Sequence, residues 1–317
     1  MKKRVTLAAA MLACSAGAAW AEPSVTVFGF LEAQVGRQTQ RAPGTEMFDK
    51  GGSRLGFKGD EDLGGGMKAS FYLEHRLDPT DGTAADPFWK GGSWVGLSGD
   101  FGSVKLGRWW SQSFLKSQYA ADPFGMGTLG EGDYGSVGCG PAFSGGCLGA
   151  FWVNNSVSYE NSFGPVSFGV QVGETPAGGS KRPANVGVSY GSGPLYVGAG
   201  YEVSNDGDPD SDWLSVAANY DLGVAKLYAG YGSGHDASDV TRKNLLVGFS
   251  APVGPGAVIA SYDDQKQGDV KVEQLISVGY KYNLSKRTNV FAVFARDGKA
   301  PTGTNKTGYA LGVFHSF

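Results

Sequence analysis

The chain has 317 residues, 27 Lys and Arg against 30 Asp and Glu, a formal net charge of −3, and 52 glycines. That charge balance speaks against a nucleic-acid partner, which calls for a clustered basic face. The glycines exceed twice the usual ~7% and are spread too evenly for a linker or a collagen-like repeat.

The first residues, MKKRVTLAAAMLACSAGAAWA, open with Lys2, Lys3 and Arg4, continue into an apolar run from Val5, and end small-x-small at Ala19-Trp20-Ala21. These are the three parts of an export signal. Residues 1–21 therefore read as a leader cleaved after Ala21, and residues 22–317 as one domain. Loss of the leader turns the formal charge to −6. Cys14 is a poor lipoprotein site, because the apolar run before it is short and Met11 is an unfavourable opening residue. No later segment approaches the ~18 consecutive apolar residues of a membrane-spanning helix, a limit that does not apply to barrels, where only alternate residues face lipid.

Beyond the leader the periodicity is two, the period of strands. In the stretch Ser53–Arg76, Leu55, Phe57, Met67, Ala69, Phe71 and Leu73 fall on one face, and Arg54, Lys58, Lys68, Tyr72, Glu74 and Arg76 on the other. The same separation runs through Val166–Val172, Leu195–Glu202, Leu214–Tyr220, Leu227–Tyr231 and Tyr309–Phe317. Phe71, Tyr159, Tyr190, Tyr201, Tyr220, Tyr231, Tyr280, Tyr282 and Phe317 fall near strand ends, where an interfacial aromatic girdle belongs.

The connections alternate in length. Short turns rich in Gly, Asp, Asn and Pro fall at Asp60–Gly66, Asp100–Gly102, Ser162–Gly164, Ser192–Pro194, Asp221–Gly223, Pro252–Gly256 and Asn283–Arg287. Longer polar loops fall at Arg37–Gly52, Asp78–Pro87, Trp110–Ala150, Glu174–Pro183, Ser204–Asp210, Ser233–Asp239, Gln265–Asp269 and Asp297–Thr307. Fifteen connections mean sixteen strands. An even number of strands with short turns on one rim and long loops on the other predicts an all-β, 16-stranded antiparallel transmembrane barrel. Closure is obligatory in hydrocarbon, where an open edge would leave N–H and C=O groups unpaired.

The loop Trp110–Ala150 is too long for a plain connection. It carries Asp122, Glu131 and Asp133, and the pair Cys139 and Cys147 in CGPAFSGGC, which in an exported chain reads as a local disulfide. A sixteen-stranded barrel has room for water in its lumen. A long loop folded inward would place its carboxylates opposite basic wall groups, and the resulting transverse field would orient polar solutes and filter ions.

Other chemistry is set aside. The three histidines, His75, His235 and His315, have no nucleophile and carboxylate placed beside them by sequence, so no catalytic triad is expected. The Asp206–Asp212 loop lacks the Gly and Glu of a calcium loop at the required positions, which are Ser211 and Ala217, and reads as an exposed acidic loop. Glycine-rich runs such as GYGSG precede no helix and are not nucleotide sites. No cofactor or metal is expected.

The segments SVTVFGFLEAQV, GSRLGFKGDEDLGGGMKASFYLE, WVGLSGDFGSVKLGR and GYALGVFHSF resemble the Gram-negative trimeric general porins, most closely those of β-proteobacteria. The resemblance covers the mature chain. It implies a homotrimer, a third loop folded into the lumen, contact with outer-membrane lipid and lipopolysaccharide, and a terminal Phe317 read by the outer-membrane assembly machinery. It also places Arg54 and Arg108 at wall-arginine positions of the constriction, Glu74 at a wall carboxylate, and Asp122, Glu131 and Asp133 in the facing loop. With the alternation, the expected filter is Arg54, Lys58, Arg76 and Arg108 with Glu32 and Glu74. The expected function is passive diffusion of ions and small hydrophilic solutes through a water-filled channel, with a substrate-specific pore as the alternative. Family members often end Gly-x-Arg-His-x-Phe, whereas this chain has Phe314 at the inward basic position. Strict alternation would turn Arg108 toward lipid, at a cost of ~2–4 kcal/mol near the midplane, so a bulge near Gly107 is expected.

Overall fold

The computed structural model describes residues 24–125, 151–175, 177, 180–204 and 210–317. The expected leader, Glu131, Asp133, Cys139, Cys147, Asp206 and Asp208 lie outside the described residues. Strands run in chain order as β1 (Ser24–Arg37), β2 (Glu46–Phe48), β3 (Arg54–Gly64), β4 (Met67–Arg76), β5 (Ser93–Gly99), β6 (Gly102–Trp110), β7 (Trp152–Phe163), β8 (Val166–Val172) and β9 (Ala184–Ser192). They continue as β10 (Leu195–Val203), β11 (Asp212–Asp221), β12 (Lys226–His235), β13 (Thr241–Val253), β14 (Gly256–Gln267), β15 (Val270–Asn283), β16 (Thr288–Asp297) and β17 (Thr307–Ser316). The long strands pair antiparallel in sequence order, and β17 closes on β1 from Phe30↔Ser316 to Arg37↔Tyr309. The result is the expected sixteen-stranded barrel with one extra short strand.

The distribution of side chains is the inverse of a soluble protein's. On β8 and β11, Val170 and Val216 are each 43% exposed, whereas Gln171 and Ser215 are each 1% exposed. The apolar parity faces outward and the polar parity inward, as a barrel in hydrocarbon requires.

Three details depart from the sequence reading. The stretch Gln265–Asp269, expected as a longer loop, is mostly strand: β14 runs to Gln267 and β15 starts at Val270, with a register shift at Gln265/Lys266. The stretch Arg37–Gly52 contains β2, which pairs with Gln34–Gly36 of β1, next to the Ser24–Phe30 stretch that pairs with β3. Finally, the inner face of β15–β17 is partly apolar, although Glu273, Ser277 and Asp297 are buried there too. Leu275, Phe291, Val293, Ala295 and Ala310 are buried together with Phe48 of β2, and Phe124 and Phe314 pack against them.

After β6 the chain forms helix α1 (Gln112–Lys116) and a 3-10 turn (Gln118–Ala121). Ser111 starts α1, its hydroxyl accepting the Phe114 N–H at 3.0 Å. The segment lies against inward groups of β8–β12. Gln112 N donates to Asn185 Oδ1 at 2.7 Å, Gln118 Nε2 to Glu202 Oε1 at 3.0 Å, and Asn219 Nδ2 to the Ala120 carbonyl at 3.1 Å. Close approach depends on glycine. A Cβ at Gly187 would stand 2.1 Å from the Gln112 carbonyl oxygen, and one at Gly198 would stand 1.7 Å from that of Lys116.

Candidate functional site

The break between β2 and β3 builds the site. At residues 49–53 the chain leaves the ladder, and its exposed polar groups take side-chain partners instead. Asp49 accepts the N–H groups of Gly52 (3.0 Å) and Ser53 (2.6 Å), and Glu32 Oε1 accepts Gly51 N (3.0 Å). The freed carbonyls hold two arginines. Arg54 donates Nε to Gly52 O (3.1 Å) and Nη2 to Gly51 O (3.0 Å), and Arg76 donates Nη1 to Gly52 O (3.1 Å).

Both arginines share one carboxylate. Glu74, 1% exposed, accepts Arg76 Nε at 2.6 Å and lies 3.6 Å from Arg54 Nη1. The Tyr72 hydroxyl donates to the second Glu74 oxygen at 2.6 Å. Residues 54 and 76 face each other across the β3–β4 ladder, which brings two like charges together. One carboxylate between two guanidinium groups leaves a local charge of +1. Aromatic faces spread that charge further: Arg54 lies 4.3 Å from the Phe30 ring centroid and Arg76 5.7 Å from that of Trp152.

These groups border a lumenal cavity of about 610 Å³. Its charged lining is Glu32, Lys50, Arg54, Arg76 and Lys281; much of the rest is aromatic or aliphatic. Lys50 and Lys281 were not singled out by sequence. Lys281 has inward parity on β15, a legible sign, whereas Lys50 sits in the break and carries no periodic signal.

The other expected residues are placed differently. Lys58, on the parity of Arg54 but nearer the short turn, is exposed and lies 5.5 Å from the Phe28 ring centroid, outside the cavity lining. Arg108 follows Gly107, whose φ of +136° accompanies a register shift at Gly107/Trp109. Its Nε donates to the Lys90 carbonyl at 2.9 Å, its Nη1 to Asn154 Oδ1, and its guanidinium lies 5.1 Å from the Trp152 ring centroid. It too is outside that lining. Asp122 is buried; its Oδ1 accepts Phe124 N at 2.8 Å, and it borders a second space beside β9–β12. In the acidic loop, Asp210 ties two connections together by accepting Ser180 N (3.0 Å) and Lys181 N (2.8 Å).

A closed barrel with an apolar exterior and a charged, cavity-bearing interior is a membrane-spanning channel. Residues 7–300 match the family of Gram-negative porins, and the chain belongs to that family. Outer membrane porin protein 32 of Delftia acidovorans is 33% identical to it, the alignment covering 99% of this chain and 100% of the relative. An outer membrane porin of Bordetella pertussis is 27% identical over 99% of this chain and 100% of the relative. Among solved structures, an anion-selective porin from Comamonas acidovorans is similar with a TM-score of 0.72 at 28% identity, covering 93% of this chain and 100% of that one. Salmonella typhi OmpF, in complex with daunomycin, shares the fold at TM-score 0.71 and 18% identity, covering 92% of this chain and 97% of that one. The protein is an outer-membrane porin, forming a water-filled channel for passive diffusion of ions and small hydrophilic solutes.

Proposed function

We propose that this channel favours anions. The observation that carries the reading is the cavity lining: among the described residues it holds four cations, Lys50, Arg54, Arg76 and Lys281, with Glu32 the carboxylate among them and Glu74 buried between the arginines. The anion-selective relative from Comamonas acidovorans supports it. Lys58 and Arg108 act on the approach rather than at the narrowest part. The segment after Trp110 narrows the lumen, with Asp122 acting in the space beside β9–β12 rather than opposite the arginines.

The working form is a homotrimer in the outer membrane, against lipid and lipopolysaccharide. The leader is removed after Ala21, and Phe317 is read by the assembly machinery.

The test is the reversal potential of the Arg54→Ala and Arg76→Ala proteins in planar bilayers under a KCl gradient. At the dielectric of bulk water, charges ~6 Å apart interact by about 0.7 kcal/mol, roughly a threefold change in ion occupancy. Each substitution is expected to lower the chloride-to-potassium permeability ratio by about that factor. Ratios equal to the unsubstituted channel's would reject the arginines as the filter.

A further inference from the structure

We propose that the lumenal cavity is a retention site for aromatic monocarboxylates, a solute class that goes beyond the ionic preference above and rests on that same site being the pore. A filter for small inorganic ions needs charge and water. This cavity joins its charged groups to a large apolar surface. Beside the arginines, Phe30 of β1 stands in register with Arg54 and packs on Phe314 of β17, and β16 adds Phe291 and Val293, with Lys281 of β15 in register with Phe291. The segment after α1 adds Phe124, which packs against the same apolar group. Such a surface is unfavourable for a hydrated ion and favourable for a ring.

The charged groups are poised for a carboxylate. Arg54 uses Nε and Nη2 on backbone carbonyls, and its Nη1 makes no hydrogen bond among the described residues, standing 3.6 Å from Glu74. Arg76 donates Nε to Glu74 and Nη1 to the Gly52 carbonyl, and its Nη2 is buried, so it contributes charge rather than a further donor. Their backbone contacts fix both guanidinium groups before any solute arrives, so little side-chain freedom is lost on binding. A volume of about 610 Å³ lies within the range of small-molecule sites. A solute with a carboxylate at one end and a ring at the other matches both features at once. Acetate matches only the charge, and a neutral aromatic alcohol only the apolar surface.

The test uses the purified full-length channel in planar bilayers carrying chloride current, with benzoate, acetate and benzyl alcohol as probes. Benzoate is expected to reduce the current saturably, with a half-blocking concentration about tenfold or more below that of acetate, and benzyl alcohol is expected to have no comparable effect. Phe291→Leu and Phe314→Leu keep the wall apolar but remove a ring. Each is expected to weaken the benzoate block about fivefold and to leave that of acetate unchanged. Because the solute series is run on the unsubstituted protein, the proposal is tested even where a variant fails to assemble. Equal action of benzoate and acetate in an open, anion-preferring channel would overturn the retention site alone. Benzoate block unaltered in both leucine variants would overturn its location. A reversal potential of the potassium sign would overturn the ionic preference, and is read separately from the block.

Discussion

Glu74 is the residue on which the two site arginines depend. It is almost fully buried, takes a 2.6 Å hydrogen bond from Arg76, and holds Arg54 at 3.6 Å. Glu74→Gln removes the carboxylate shared by two cations that the ladder forces together, while nearly conserving volume. Two effects are expected. Anion preference rises, seen as a larger reversal potential of the chloride sign, and the barrel loses about 2 kcal/mol, seen in urea unfolding of the purified protein. A smaller reversal potential would contradict this electrostatic account. A second ionic group, at a loop, sets a pH dependence. Burial works against ionisation of Asp236, but hydrogen bonds from Val240 N, Arg242 and Ser238 N outweigh it and hold the carboxyl below its usual range. A depressed carboxylate stabilises the fold above its unfolded pKa, and that contribution is lost as pH falls through the folded value. The Asp236–Val240 turn is therefore expected to loosen at acid pH. Protease cleavage there that did not rise on acidification would count against it. The basic half of the site was legible in the sequence, because Arg54, Glu74 and Arg76 recur on one parity of a hairpin. Lys50 was not: its neighbours Asp49 and Gly51–Gly52 read as loop, and only the break between two strand segments gives it a place beside the cavity.

At the scale of elements, the contact between α1 and the wall is set by glycine. Inward glycines on β8–β10 leave no side chain between the helix backbone and the sheet, and a Cβ at Gly198 would fall 1.7 Å from the Lys116 carbonyl oxygen. Valine suits a strand, so Gly198→Val is expected to preserve the barrel and push α1 toward the lumen. Single-channel conductance should fall. An unchanged conductance in a correctly folded barrel would show that α1 does not bear on the passage. Sequence could not reveal this seat, since Gly169, Gly198 and Gly200 appear there simply as small residues on the inward parity. Nor could it reveal the apolar inner wall. On β16, Asn289, Phe291, Val293 and Ala295 share one parity while Val290, Ala292 and Phe294 share the other, so both faces are largely apolar and alternation no longer distinguishes them. What decides is the covering of that wall by Phe48 and Phe124, two residues distant in sequence.

For the whole molecule, the decisive event is closure of β17 on β1. Eight residue pairs form the seam, and Phe317 extends it: its N–H donates to the Gly29 carbonyl at 3.1 Å, and its carbonyl accepts Gly29 N at 3.3 Å. Deleting Phe317 removes two seam bonds of many. The truncated chain is expected to refold in detergent close to the full chain's yield, yet to reach the outer membrane in much smaller amount when expressed; equal amounts in the membrane would argue against a role for this residue in assembly. The barrel itself was the most legible feature, because period-two alternation and alternating loop lengths persist along the chain and only a closed sheet satisfies both in lipid. The proposed function requires that this barrel be open and that its arginine-bearing cavity set ion preference. Single-channel recording of the unsubstituted protein under a KCl gradient tests it most directly. Stable conductance steps with a reversal potential of the chloride sign are the predicted result; a folded protein that conducts nothing, or a reversal potential of the potassium sign, would contradict it.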